Sequence, residues 1–154
     1  MIHTKGITAI MKTNPVPKGY HTITPCLIAK GTPKVIDFMK RAFNAEEIEI
    51  HTGPDGSVMH AQYKIGDSIV MLGEARGEHQ PLKSMLYLYV SDADKVFQQA
   101  VKGGGKVVAE MKDQFYGDRS GGIEDPVGNQ WWIASRKEDL SPEDIKKRMA
   151  TAKK

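Results

Sequence analysis

One pattern occurs twice in this 154-residue chain, and any fold that accommodates it must be built from two like halves. Thr22 to Ala29 is β-prone and alternating, and Thr32-Pro33 then opens a helix with Thr32 as N-cap. Val35, Ile36, Met39, Ala42 and Phe43 make its apolar stripe, and Asn44 closes it in a left-handed cap. Three strands follow, Glu46 to His51, Val58 to Ile65 and Ser68 to Gly73, divided by Gly53-Pro54-Asp55-Gly56 and by Gly66-Asp67. After a charged connection (Glu74 to Lys83), Met85 to Val90 is again a strand and Ser91/Asp92 again a helix start. Val96, Phe97, Ala100 and Val101 form the second helix face, Gly103-Gly104-Gly105 ends it, and three more strands follow. A single shift of 61 carries Ala29 to Val90, Val35 to Val96, Ile36 to Phe97 and Met71 to Trp132. One offset that fits helix and strand positions at both ends of the unit marks a duplication.

The repeat predicts an α+β fold of two βαβββ modules, each a curved mixed sheet with one helix on its convex face. The expected divisions are a disordered segment over 1–18, modules over 19–78 and 79–138, and a C-terminal surface helix over 139–154. Period-two alternation turns Leu86, Leu88 and Val90 toward the second helix and leaves Met85, Tyr87 and Tyr89 on the other face. The same parity leaves Thr24, Cys26, Ile28, Ile69, Met71 and Trp132 uncovered. These residues are too apolar for plain solvent, so the two open faces are expected to enclose a cup between the modules.

The stretch from Asp113 to Ala134 (DQFYGDRSGGIEDPVGNQWWIA) reads as two strands around a tight turn. Pro126 presets φ, Gly128 supplies φ > 0, and Asp125 can bond backbone two residues on. This turn runs straight into a last core strand and is where a site is expected. Gly117 to Gly122 reads as a flexible polar lip over it.

Composition narrows the class. A lone Cys26 allows no disulfide within the chain and suits a reducing, cytoplasmic setting. The apolar runs are too short to span a membrane, and the N-terminal stretch lacks the apolar core of a signal peptide. The net charge of +3 shows no basic face interleaved with aromatics, which argues against a nucleic-acid partner.

Paired βαβββ patterns, the TPKVIDFMKRAFNAEE helix with its following strand, and DQFYGDRSGGIEDPVGNQWW together resemble the vicinal oxygen chelate superfamily. That group comprises the glyoxalases, bleomycin resistance proteins and extradiol dioxygenases; within it the chain looks most like the PhnB-like branch. The resemblance covers about Gly19 to Glu138. Metal-using members carry a His or Glu on the first and last strand of each module, and those positions fall here on Thr24, Met85, Met71 and Trp132. None is a good ligand for a divalent ion, which wants imidazole, carboxylate or thiolate, so neither a metal nor another cofactor is expected.

The candidate ligand-binding residues are Thr24, Cys26, His60, Met71, Met85, Tyr87, Arg119 and Trp132. His60 alternates onto the face opposite Ala61 and Tyr63, from which it could line the cup as acid, base or donor; it is the one catalytic candidate. Trp132, Tyr87, Tyr89 and Met71 would form an aromatic and thioether wall. Arg119, with Asp118 and Glu124, would gate the cup or hold an anionic ligand, or else form a local pair that ties down the glycine-rich stretch. Cys26 faces the open side without an evident base.

The expectation is a metal-independent binder of a small molecule, held in the cup and homodimeric by the resemblance. The alternative is a lyase or isomerase using a non-standard metal site or His60. Ser141-Pro142-Glu143-Asp144 announces a surface helix with a capping box.

Overall fold

The structure is a computed structural model and describes residues 12–152. Residues 1–11, and with them most of the segment expected to be disordered, lie outside the described residues, as do Lys153 and Lys154. The element order is β1 (Cys26–Ala29), α1 (Thr32–Phe43), β2 (Glu46–Thr52), β3 (Val58–Ile65) and β4 (Ser68–Glu74). Then follow β5 (Met85–Tyr89), α2 (Ala93–Lys102), β6 (Lys106–Asp113), β7 (Asp118–Glu124), β8 (Gln130–Arg136) and α3 (Pro142–Ala152). Two mixed four-stranded sheets result, ordered β1-β4-β3-β2 and β5-β8-β7-β6. In each, the first strand runs parallel to the last at the sheet edge.

The repeat is preserved in strand register. Cys26 lies opposite Met71 and Leu27 opposite Leu72; Tyr87 lies opposite Trp132 and Leu88 opposite Ile133. Adding 61 to each residue of the first two pairs gives the second two.

β1 is shorter than its β-prone stretch. Pro25 has no N–H, so the ladder begins after it, and Pro25 contributes only its carbonyl, which accepts from Met71 N. α1 also starts differently from expectation. Gly31 is the N-cap, in a left-handed conformation, and Thr32 makes no capping bond to the helix backbone. The cap comes from β4, where the Glu74 carboxylate accepts from Gly31 N (2.7 Å) and Thr32 N (2.9 Å). In the second module Asp92 caps as expected, accepting from Lys95 N. Asn44 closes α1 at φ 54.

Val35, Ile36, Phe38, Met39, Ala42 and Phe43 of α1 pack on Leu27, Ala61, Tyr63 and Leu72; Phe97 and Ala100 of α2 pack toward Ile123 and Ile133. Each large apolar side chain fully buried there contributes about 1.5–3 kcal/mol. Both sets belong to one apolar cluster. α1 packs beside α2, with Gln99 Nε2 donating to the Arg41 carbonyl and to Asn44 Oδ1. Phe38 and Phe43 reach Trp131, at ring-centroid distances of 6.4 and 5.0 Å. The modules therefore join through their helix-bearing sides. Pairing of the two open faces into one cup, expected from the sequence, is not among these contacts.

The glycine-rich stretch is not a lip. From Asp118 onward it is β7, paired on both sides with β6 and β8, and only Gly117 stays in the preceding turn. A Cβ on Gly121 would stand 2.8 Å from Met111 Sδ and from Phe97, so the glycine permits close packing of α2 on the sheet. α3 forms with its capping box, Ser141 Oγ donating to Asp144 and accepting from Asp144 N, and it buries no residue. No helix among the described residues is long and apolar enough to cross a membrane.

Candidate functional site

The Asp125 to Asn129 turn, expected to mark a site, is consumed structurally. Asp125 is buried, and its Oδ1 accepts from Val127 N and Asn129 N. Its Oδ2 accepts from Asn129 Nδ2 and the Trp131 indole N–H, while Asn129 Oδ1 accepts from Ser84 N. No acceptor is left for a ligand, so the motif anchors Trp131 in the core.

On the first sheet's open face, Thr24 and Met71 line a depression of about 570 Å³ together with Glu49, Gln62, Tyr20 and His21. Pro15, Val16 and Pro17 form its outer wall, so these residues of the expected disordered segment are placed over the sheet. Alternation on β2 and β3 sets Glu49, His51, His60 and Gln62 on this face. Gln62 ties them together: its Oε1 accepts from the Tyr20 hydroxyl, and its Nε2 donates to Glu49 Oε2 (3.3 Å) and His60 Nε2 (3.0 Å). As acceptor at Nε2, neutral His60 carries its proton on Nδ1. Glu49 Oε1 lies 2.6 Å from His51 Nε2. Cys26 sits at the same face beside Met71, exposed, its thiol pushed up by partial burial. A raised thiol is a poor nucleophile at neutral pH.

On the second sheet's open face, Met85, Tyr87 and Tyr89 project from β5, Trp132 from β8 and Asp118 from β7. Met85 is 65% exposed, Tyr87 39% and Tyr89 60%, which is unusual for side chains of this size on a strand. Asp118, by contrast, is 1% exposed and collects the face's polar groups. Its Oδ2 accepts from Tyr87 (3.1 Å) and Tyr89 (2.8 Å), and its Oδ1 from Arg136 Nε (2.7 Å). Burial pushes the Asp118 carboxyl up, but the three donors outweigh it, and the carboxyl stays below its ordinary range. Tyr87 is pushed well above the ordinary phenol value, by burial first and then by its bonds to Tyr116 and Asp118. Tyr89 moves the same way, chiefly through its bond to Asp118. Both phenols therefore remain protonated at neutral pH. The Ser120 hydroxyl is buried on this face, without a hydrogen-bond partner among the described residues.

Arg119 is not part of either open face. Adjacent strand residues point to opposite sides, so Arg119 turns from Asp118 toward α2. There it holds Asp94 through two bonds of 2.7 and 2.8 Å and Asp113 through a third of 3.3 Å. Of its two readings the local tether is the one realised, with Asp94 and Asp113 in place of Asp118 and Glu124. The residues that sequence reasoning passed over are Asp118 as a hub, Arg136, Gln62 and Glu49. Parity counted back from Trp132 through the β7–β8 turn would have found Asp118.

The family metal positions share open faces without facing one another in register. Thr24 and Met71 line one depression, and Met85 and Trp132 lie on adjacent strands of the other sheet, where Met85 is opposite Gln130 and Trp132 opposite Tyr87. A hydroxyl, two thioethers and an indole do not fit a divalent cation. Among the described residues no group of three or more His, Cys, Asp or Glu side chains is gathered to hold a metal ion.

The chain over residues 20–133 matches the family described as the Glyoxalase/Bleomycin resistance protein/Dioxygenase superfamily. An uncharacterised protein of Mycobacterium bovis is 31% identical over 140 residues, covering 84% of this chain and 92% of that one. Among solved structures, TioX from a Micromonospora species superposes with a TM-score of 0.63 at 20% identity, covering 79% of this chain and all of TioX. A PhnB protein from Bacillus cereus, described as a putative 3-demethylubiquinone-9 3-methyltransferase, gives 0.57 at 16%, covering 75% and 99%. The register-matched halves and these likenesses agree: the chain belongs to the glyoxalase, bleomycin resistance protein and dioxygenase superfamily.

Proposed function

We propose that this protein is a metal-independent binder of a small molecule, working as a homodimer. In that dimer the first open face of one copy and the second open face of the other enclose the ligand. The observation that carries the reading is the solvent exposure of Met85, Tyr87 and Tyr89 on a face that its own chain leaves uncovered. Desolvating aromatic and thioether surface of this kind is what ligand pockets do. Met71, Tyr87 and Trp132 would supply the apolar wall and His60 a polar anchor, with Thr24 and Cys26 at the rim. The absence of divalent-ion donors at the family positions favours binding over metal chemistry. The lone thiol suits a cytoplasmic setting, and nothing in the charge pattern invites nucleic acid or membrane.

A second reading, a lyase or isomerase, draws on one observation: the Glu49–His51 contact and the Gln62-oriented His60 share one face. Such an arrangement can move a proton if a substrate reaches it. One experiment tests both: the purified chain is sized by light scattering, assayed for metal after dialysis, and titrated with a compound library against tryptophan fluorescence. A metal-free dimer with a saturable ligand, lost in Trp132→Ala, is expected. A monomer, or a stoichiometric retained metal, would overturn the proposal.

A further inference from the structure

The second open face has spent its protons inward. A phenol has one proton, and Tyr87 and Tyr89 both give theirs to Asp118 Oδ2. The Tyr116 hydroxyl lies 3.3 Å from that of Tyr87, whose own proton is engaged, so Tyr116 is the donor of that pair. The Trp132 indole N–H is likewise engaged, by Gln130 Oε1 at 3.3 Å. The four aromatic side chains thus present outward only oxygen lone pairs and π faces, with the Tyr87 and Tyr89 rings 5.3 Å apart at 56°. The nearby cation is outnumbered and spent: Arg136 bonds Asp118, lies 3.4 Å from Asp139, and donates to one lone pair of the Tyr89 oxygen, leaving the other free.

A surface of acceptors and ring quadrupoles repels anions and attracts cations. We infer that the second module's face recognises an organic cation with N–H donors on an aromatic or alkyl body, and that Asp118 is the positioning residue that fixes this preference. The inference rests on the small-molecule reading above and names its ligand class. The ammonium N–H groups would bond the Tyr89 and Tyr116 oxygens, while the body lies on the Tyr87, Tyr89 and Trp132 rings. Asp118 acts through the phenols rather than by contact, because it is buried.

Three probes of one shape and different charge decide it: benzylammonium, benzyl alcohol and benzoate, titrated into the full chain with tryptophan fluorescence as readout. Benzylammonium should bind roughly tenfold more tightly than benzyl alcohol, within the range of a desolvated cation–π contact, and benzoate more weakly still. In Asp118→Asn the carboxamide can donate to the phenols and turn their protons outward, so the preference should shrink or reverse toward benzoate. Tyr89→Phe, an exposed position that should not impair folding, should weaken benzylammonium several-fold and leave benzoate unchanged. Equal or tighter binding of benzyl alcohol or benzoate would overturn the charge preference and leave the small-molecule reading standing. Failure of all three to saturate at millimolar concentration would overturn the organic-cation inference alone, because the compound-library titration decides the small-molecule reading separately.

Discussion

Glu74 and Ser135 stand 61 residues apart, at the ends of β4 and β8, and each caps the helix of its own module. Glu74 accepts from Thr32 N and Ser135 Oγ from Ala93 N, both at 2.9 Å. The last strand of each module thus satisfies an N–H that the helix itself cannot, and it fixes the helix across the sheet. Glu74→Ala should destabilise the protein by about 1–2 kcal/mol and Ser135→Ala by about 1 kcal/mol, measured by urea unfolding. Glu74→Gln should recover only part, because the amide is uncharged at the positive end of α1. Equal stability of all three variants and the parent would show the caps to be incidental.

The Gly121 position supplies a sharper contrast. Gly121→Ala drives a methyl against Met111 Sδ and Phe97 at 2.8 Å and the Ala109 carbonyl at 3.0 Å. Overpacking of this sort costs about 1–3 kcal/mol. Gly56→Ala meets nothing within 4 Å and is strained only by its φ of +79, which should cost about 1 kcal/mol, the scale of one left-handed residue. Chemical denaturation should therefore rank Gly121→Ala below Gly56→Ala in stability; the reverse order would refute the packing role of β7.

Much of the architecture was legible because it depends on local pattern. The helical stripes, the turns at Gly53 and Gly66 and the offset of 61 are all properties of neighbouring residues, and register then followed from parity. What escaped depends on partners far away in sequence. Thr32 has the identity of an N-cap, yet a carboxylate 42 residues later does the capping. Gly121 and Gly122 carry the composition of a loop, and only the side chains of β6, α2 and β8 above and below them explain the glycines. Arg119 and Asp118 were grouped because they are adjacent, which on a strand is what separates them. The joining of the modules through Phe38, Phe43 and Trp131 was illegible for a different reason: an apolar face does not announce which of two surfaces it will meet.

Asp118 gives the protein a pH signature at both ends of the scale. Its folded-state carboxyl titrates below the ordinary value of about 3.9, so its contribution is fully present above that value and drains as pH falls through the lower folded one. Tyr87 and Tyr89 titrate above the ordinary phenol value of about 10; their contribution is present below it and is lost as pH climbs through the raised folded values. Thermal unfolding scanned against pH should show both losses, and Asp118→Ala should diminish both. The variant should also cost about 3 kcal/mol at neutral pH, the upper end for one hydrogen bond to a charged group, since the exposed ends of Tyr89 and Arg136 can rehydrate. Phenolate absorbance rising at the free-tyrosine pH for every tyrosine would contradict this account.

The proposed two-copy cup can be separated from a one-chain cup by mixing. Met71→Lys places a charge on the first open face and Trp132→Lys places one on the second, so each homodimer should have both of its cups damaged. If each cup draws one face from each copy, a heterodimer of the two variants holds one cup carrying both substitutions and one carrying neither. Co-refolded mixtures should then regain binding, with up to one intact cup per heterodimer, whereas either variant alone binds nothing. A cup closed within a single chain would give no recovery at any mixing ratio, because every chain would carry a damaged wall. Both substituted positions are half-buried on the open side and lie outside the apolar cluster around Trp131, so circular dichroism of each variant should match the parent.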